Sequence, residues 1–236
     1  DLTNVIFKTI ASPLQAYATP ESYDERLEES LRIRAEMGDK QAGDDLGRGG
    51  DYSGDMYREI HRYATMAVRL ARGEQFDVIH AHDWMTYPAG VAVAAVTGKP
   101  LVVHVHSTEF DRSGEHVNQY VYDIERQGVH AAAKVIAVSN YTRHILIIRY
   151  GAPPEKVEVV YNGVEFNGHA EASFPRTWPD KTVLFLGRVT MQKGPEYFLF
   201  AAKRVPEKMD NVKFVMAGDG DMLYRSIELA ANLGIG

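Results

Sequence analysis

The strongest constraint on the fold is an alternation: from residue 76 onward, short apolar runs are each followed by a segment of helix length. Runs at 76–81, 100–105, 134–138 and 157–160 read as strands, and 88–97, 115–133 and 141–149 read as the helices between them. After a break, a strand at 182–186, a helix at 195–205, a strand at 212–217 and a helix at 221–233 repeat the order. Strands that are apolar throughout, with helical crossovers between them, are buried on both faces, so the pattern predicts α/β architecture with parallel sheets.

The stretch before residue 76 is more varied. Residues 4–10 read as a strand that Ser12-Pro13 interrupts, and 21–37 as an amphipathic helix with Tyr23, Leu27, Leu31 and Ala35 on one face. Residues 38–54 are rich in Gly and Asp and read as a long loop. A helix then runs to Arg72, capped by Ser53 or Asp55, with Met56, Ile60, Ala64, Ala67, Val68 and Ala71 inward. The segment 162–180 holds Asn162-Gly163, Gly168, Pro175 and Pro179 without periodicity and reads as a linker. Residues 1–161 therefore read as one α/β domain, and 181–236 as the first part of a second one. The start at Asp1 and the finish after a helix predict that the first domain lacks its beginning and the second its end.

Composition narrows the function. A net charge of −6 shows no basic excess, which argues against nucleic acid as a partner. With no Cys there is no thiol nucleophile, disulfide or thiolate metal site. No apolar run approaches the ~20 residues of a membrane helix, and the expected address is cytoplasmic. Oligomeric state is not legible.

Functional groups of parallel α/β sheets gather just past the carboxyl ends of the strands, and that rule selects five places. At Gly187-Arg188-x4-Lys193-Gly194-Pro195 a strand opens into two cations before a helix start, a place suited to an anion such as a phosphate, although solvated loop charges read the same way. It is neither a Walker A loop nor a G-x-G-x-x-G fingerprint. At His80-Ala81-His82-Asp83-Trp84, Asp83 either accepts hydrogen bonds from sugar hydroxyls or caps the next helix, and Trp84 packs against a sugar or the core. At His104-Val105-His106-Ser107-Thr108, alternation puts both histidines on one face, with His106 nearer the strand mouth and Thr108 among the polar groups behind it. Ser139 reads as a helix N-cap that is also placed to touch a ligand. Gly218 and Gly220 allow close approach to the backbone, or simply form a tight turn. The paired His-x-His runs also admit a metal-dependent hydrolase as an alternative class.

Taken together, His80-Ala81-His82-Asp83-Trp84, Val105-His106-Ser107-Thr108-Glu109-Phe110-Asp111, Val138-Ser139, Tyr161-Asn162-Gly163-Val164-Glu165, Gly187-Arg188-x4-Lys193-Gly194 and Ala217-Gly218-x-Gly220 resemble the retaining glycosyltransferases of family 4 and the related glycogen synthases. The resemblance implies a GT-B fold, two Rossmann-like domains flanking a cleft, with a nucleotide-sugar donor on the C-terminal domain and a carbohydrate acceptor mainly on the other. It implies hexosyl transfer with retention of configuration and without a metal or other cofactor, from a donor such as ADP-glucose or UDP-glucose to a glucan or other carbohydrate. By matching motifs, Arg188, Lys193 and Gly187 fall on the donor-diphosphate site. His106 and Asp83 fall on the catalytic positions, and Trp84, Thr108, Ser139, Gly218 and Gly220 on donor or acceptor contacts. The family's N-terminal glycine-rich loop and its later pair of glutamates have no counterpart here. The chain alone is therefore expected to transfer sugar weakly or not at all, and a binding-only half of a GT-B protein is the further alternative.

Overall fold

A computed structural model of the chain describes residues 6–10, 12, 14, 23, 55–164 and 179–235. The expected 38–54 loop, all but Tyr23 of the 21–37 helix, and most of the 162–180 linker lie outside the described residues. Contacts divide the chain into two compact units, residues 1–108 with 118–162, and residues 109–117 with 163–236.

The first unit is built on a four-stranded sheet of order β1-β2-β3-β4, comprising β1 (Ile79–His82), β2 (Leu101–Val105), β3 (Lys134–Ala137) and β4 (Val157–Val159), every pair parallel. Its helices are α1 (Asp55–Ala71), α2 (Tyr87–Thr97), α4 (Gln119–Ala131) and α5 (Asn140–Tyr150). Register places Ala81 beside Val103, Val103 beside Val135, and Val105 beside Ala137. These small and β-branched residues are buried, forming one apolar face of the sheet. Helix α1 turns Met56, Ile60 and Ala64 inward and packs on α2, which is apolar around its circumference. The same helix also packs against α4, burying Tyr87, Ala89, Gly90 and Val93, while Val96 near its end stays exposed.

Helix ends follow local chemistry. Asn118 caps α4 by accepting from the N–H groups of Tyr120 and Val121, and Ser139 caps α5 by accepting from Thr142 N–H at 3.0 Å. Helices α2 and α5 stop at Gly98 and Gly151, both left-handed.

The second unit pairs β5 (Lys181–Leu186) with β6 (Val212–Ala217) in parallel and adds α6 (Pro195–Arg204) and α7 (Leu223–Leu233), which pack together. Phe198 bridges helix and sheet, its ring 5.6 Å from Phe185 and 5.4 Å from Phe214. The short helix α3 (Glu109–Ser113) belongs to this unit by its contacts, and its buried Glu109 accepts from the Arg112 guanidinium at 3.1 Å and from Ser113 Oγ. Among the described residues no helix is long and apolar enough to cross a membrane.

Three expectations are corrected. Residues 6–10 carry no strand, and Ile6 and Phe7 are exposed rather than paired in a sheet. Strand β1 begins at Ile79, not at 76, because Phe76 to Val78 precede the register with Leu101. The helix expected at 115–133 starts only after Asn118, and the polar segment before it contains α3.

Candidate functional site

Two polar clusters form at strand mouths, one in each unit. In the first, β1 and β2 end side by side with His82 opposite His104. Neighbouring parallel strands lie about 4.8 Å apart and successive side chains alternate, so His80, His82, His104 and His106 crowd onto one face. The rings of His104 and His106 stack at 4.3 Å, those of His82 and His106 at 5.3 Å, and those of His80 and His104 at 5.4 Å. His82 Nδ1 lies 3.0 Å from His106 Nε2, a hydrogen bond whose donor depends on tautomer.

Crowding of the imidazoles makes charging His104 and His82 costly. Burial, and then repulsion from His106, His82 and His80, pulls His104 down from its ordinary 6.5 to about 4, opposed only by Asp83. His82 is lowered as well, by burial first and by His80 and His106 next. Both ring nitrogens of His104 are covered and make no hydrogen bond.

Asp83 governs this mouth in a way the sequence did not disclose. It makes no cap bond to the helical turn that follows (Trp84–Thr86), contrary to one of the two expected roles. Its Oδ1 instead accepts from the His106 backbone N–H at 2.8 Å, and its own N–H donates to the His104 carbonyl at 3.0 Å. The buried Tyr87 hydroxyl donates to the same carbonyl at 3.1 Å. Asp83 has φ 58° and ψ 166°, the single non-glycine positive φ among the described residues, in a region that glycine almost monopolises. The Asp83 carboxylate thus ties the end of β1 to the first residue beyond β2.

Trp84 and Thr108, expected as ligand contacts, are 6% and 1% exposed. Both side chains are buried in this structure. Ser139 spends its oxygen on the α5 cap and lies 2.9 Å from Thr142 Oγ1.

In the second unit, the loops after β5 and β6 are joined by backbone bonds. Gly187 N–H donates to the Ala217 carbonyl at 3.1 Å, Val189 N–H to that of Asp219 at 2.8 Å, and Met222 N–H to that of Val189 at 3.0 Å. A Cβ on Gly218 would sit 1.8 Å from the Gly187 carbonyl oxygen, and one on Gly220 would sit 2.5 Å from that of Val189. These glycines are required first by loop-on-loop packing, a reason distinct from the ligand approach expected of them. Arg188 and Lys193 both stand exposed on the loop so held, with an Arg188 guanidinium nitrogen 3.3 Å from Gln192 Oε1. The loop ends in a short helical turn, Met191–Lys193, and in left-handed Gly194, which no side-chain cap bond accompanies. Pro195 then opens α6, the expected strand, loop and helix start. Exposed cations on a rigid loop before a helix N-terminus suit a polyanion.

What sequence reasoning missed is cross-strand. The His80, His82 and His104 grouping and the His82–His106 bond depend on a register that no single strand encodes. The signal available was two His-x-His runs at consecutive strand ends.

The description "Glycosyltransferase Family 4" fits residues 21–167, and "Glycosyl transferases group 1" fits residues 171–236. An uncharacterized glycosyltransferase of Methanocaldococcus jannaschii is 33% identical over 176 residues, covering 69% of this chain and 45% of that protein. A UDP-Gal:alpha-D-GlcNAc-diphosphoundecaprenol alpha-1,3-galactosyltransferase of Escherichia coli is 29% identical over 168 residues, covering 66% of this chain and 43% of that protein. The chain therefore spans less than half the length of these relatives. Among solved structures, Anabaena HepE in complex with UDP and glucose superposes with a TM-score of 0.56 at 21% identity, over 75% of this chain and 49% of that one. That likeness establishes the fold, which is of the GT-B glycosyltransferase type.

Proposed function

The chain belongs to glycosyltransferase family 4, and on that premise we propose that the protein transfers a sugar from a nucleotide diphosphate sugar to a carbohydrate acceptor. The observation that carries the proposal is the β5–α6 loop, which sets Arg188 and Lys193 at a strand mouth on a frame pinned by Gly187, Gly218 and Gly220. Fixed cations stabilise best the charge that develops as a bond breaks, here the charge on a departing nucleoside diphosphate. Arg188 contributes a planar fork and Lys193 a mobile point charge. In this reading His106 stands beside the donor sugar. Asp83, through its bond to the His106 N–H, acts as a positioning residue.

The finer proposal is a glucosyl donor, ADP-glucose or UDP-glucose, a glucan acceptor, retention of configuration, no metal requirement and action in the cytoplasm. In support, similar proteins include a glycogen synthase of Mycobacterium tuberculosis and an alpha-maltose-1-phosphate synthase of Mycolicibacterium smegmatis. The test measures ADP or UDP release with glycogen or maltooligosaccharide, and calorimetric binding of each free diphosphate, for the wild type and for Arg188→Ala and Lys193→Ala. Loss of turnover or of diphosphate affinity in both variants is expected. Affinity and turnover that survive both substitutions refute the diphosphate clamp.

A further inference from the structure

We infer that His80, His82 and His104 form a binding site for one divalent transition-metal ion of the zinc class, separate from the chemistry of sugar transfer. Three observations on the sheet face carry this. The imidazole nitrogens of the three residues, one from each, all lie within 4.8 Å of one another. The register that sets His82 opposite His104, with His80 two residues earlier on the same strand, fixes the three Cα positions on a rigid parallel pair. His104 offers two covered ring nitrogens with no hydrogen-bond partner, the group in this cluster with the most to gain from a ligand.

Ligand chemistry narrows the ion. Neutral imidazole suits Zn²⁺, Cu²⁺ or Ni²⁺, whereas Mg²⁺ prefers oxygen. With Zn–N near 2.0–2.1 Å, a tetrahedral ion wants its nitrogens roughly 3.3 Å apart. His80 is exposed, so its ring has room to turn about χ1 and χ2 and shorten the nitrogen spacing while His82 keeps its bond to His106.

An outer partner is already in place. A metal-bound histidine characteristically donates its second ring N–H to a neighbour, which fixes the tautomer. His82 Nδ1 faces His106 Nε2 at 3.0 Å, so a metal on His82 Nε2 makes Nδ1 the donor and His106 the acceptor. The consequence for transfer rests on the function proposed above: with His106 Nε2 committed to His82, the nitrogen it would turn toward a donor sugar is occupied. Zinc should therefore inhibit transfer while being unnecessary for it. Binding measured without any sugar substrate keeps the failure of the metal site distinct from the failure of the transferase reading.

The experiment titrates the metal-stripped full chain with ZnCl₂ by calorimetry and with CoCl₂ by visible absorbance. Wild type, His80→Ala, His82→Ala and His144→Ala are compared; His144 is an exposed histidine on α5. One Zn²⁺ per chain is expected, with a Co²⁺ d–d band, at least tenfold weaker binding in His80→Ala and His82→Ala, and no change in His144→Ala. His80 is exposed, so its variant keeps the fold, and far-UV circular dichroism verifies this. Absence of stoichiometric Zn²⁺ binding to the wild type, or equal affinity in all four proteins, overturns the site.

Discussion

Replacing Gly218 by Ala should unfasten the two loops that carry the proposed anion site, and the structure sets the scale. The new methyl would meet the Gly187 carbonyl oxygen at 1.8 Å, where ordinary contact begins near 3.4 Å, so one loop must retreat by more than an ångström. Such a retreat strains the Gly187–Ala217 and Val189–Asp219 bonds, at about 1 kcal/mol each. Overpacking of this kind costs about 1–3 kcal/mol more. The backbone adds its own term, because φ is +155° at Gly218 and a side chain there costs roughly 1–3 kcal/mol. The total is on the order of 4 kcal/mol or more, which speeds exchange of the loop amides by about a thousandfold at 1.36 kcal/mol per decade. Hydrogen exchange followed by mass spectrometry over 181–222 reads this directly, with 79–105 as the internal reference. Gly98→Ala is the control: it also has positive φ, +69°, but nothing lies within 4 Å of its Cβ, so only about 1–2 kcal/mol is at stake. If Gly218→Ala exchanges no faster in its loop than Gly98→Ala does in its own, the steric argument is wrong.

Two further outcomes follow from the charged groups. His104 is held near 4 against an ordinary 6.5, among His80, His82, His106 and Asp83, so an unfolded chain binds a proton there that the folded chain refuses. Stability is then complete above about pH 6.5 and falls as pH drops toward 4, with a ceiling of 1.36 kcal/mol per pH unit from this group. Urea titrations from pH 7.5 to 4.5 should show a flatter profile for His104→Leu, and an identical profile refutes the assignment. For the cations, each charge-assisted hydrogen bond is worth about 1.5–3 kcal/mol, so Arg188→Ala and Lys193→Ala should each weaken diphosphate binding tenfold or more. The calorimetry described for the proposed function checks this.

How much was legible in the sequence depends on what each signal encodes. Strand β2 is a run of buried and half-buried residues that follows Pro100, β6 is a run half-buried except at Lys213 that ends before Gly218, and local composition locates both within a residue. The N-terminal overshoot of β1 has the opposite cause: Phe76 and Val78 are apolar, but pairing requires a partner strand, and Val78 is left 52% exposed. Helix α3 escaped because Glu109-Phe110-Asp111-Arg112-Ser113 is too short for any period to show. At the site, the strand-mouth rule reached Asp83, His106, Arg188 and Lys193. It could not tell a residue that meets a ligand from one that meets the chain. Trp84 and Thr108 are buried, and Gly218 lies against the Gly187 carbonyl, features of packing that no local pattern shows.

Asp83 separates these two kinds of constraint most sharply, because its side chain and its backbone pull in opposite directions. At φ 58° and ψ 166° the residue bears strain of about 1–3 kcal/mol that glycine would not. Its carboxylate returns about 1.5–3 kcal/mol through the bond to His106 N–H. Asp83→Ala loses the bond and keeps the strain, whereas Asp83→Gly loses the bond and the strain together. Glycine also adds freedom to the unfolded chain, worth about 0.4–1 kcal/mol against the fold. The balance leaves Asp83→Gly more stable than Asp83→Ala by about 0.5–2 kcal/mol, an inversion of the usual order that denaturant titration resolves. Equal stability of the two variants would mean that the backbone relaxes at no cost once the carboxylate is gone. In that case the left-handed geometry is a consequence of the hydrogen bond, not a constraint imposed by the turn. With the expected inversion, a glycine would satisfy the turn better, so the aspartate must be kept for what its carboxylate holds, the backbone of His106.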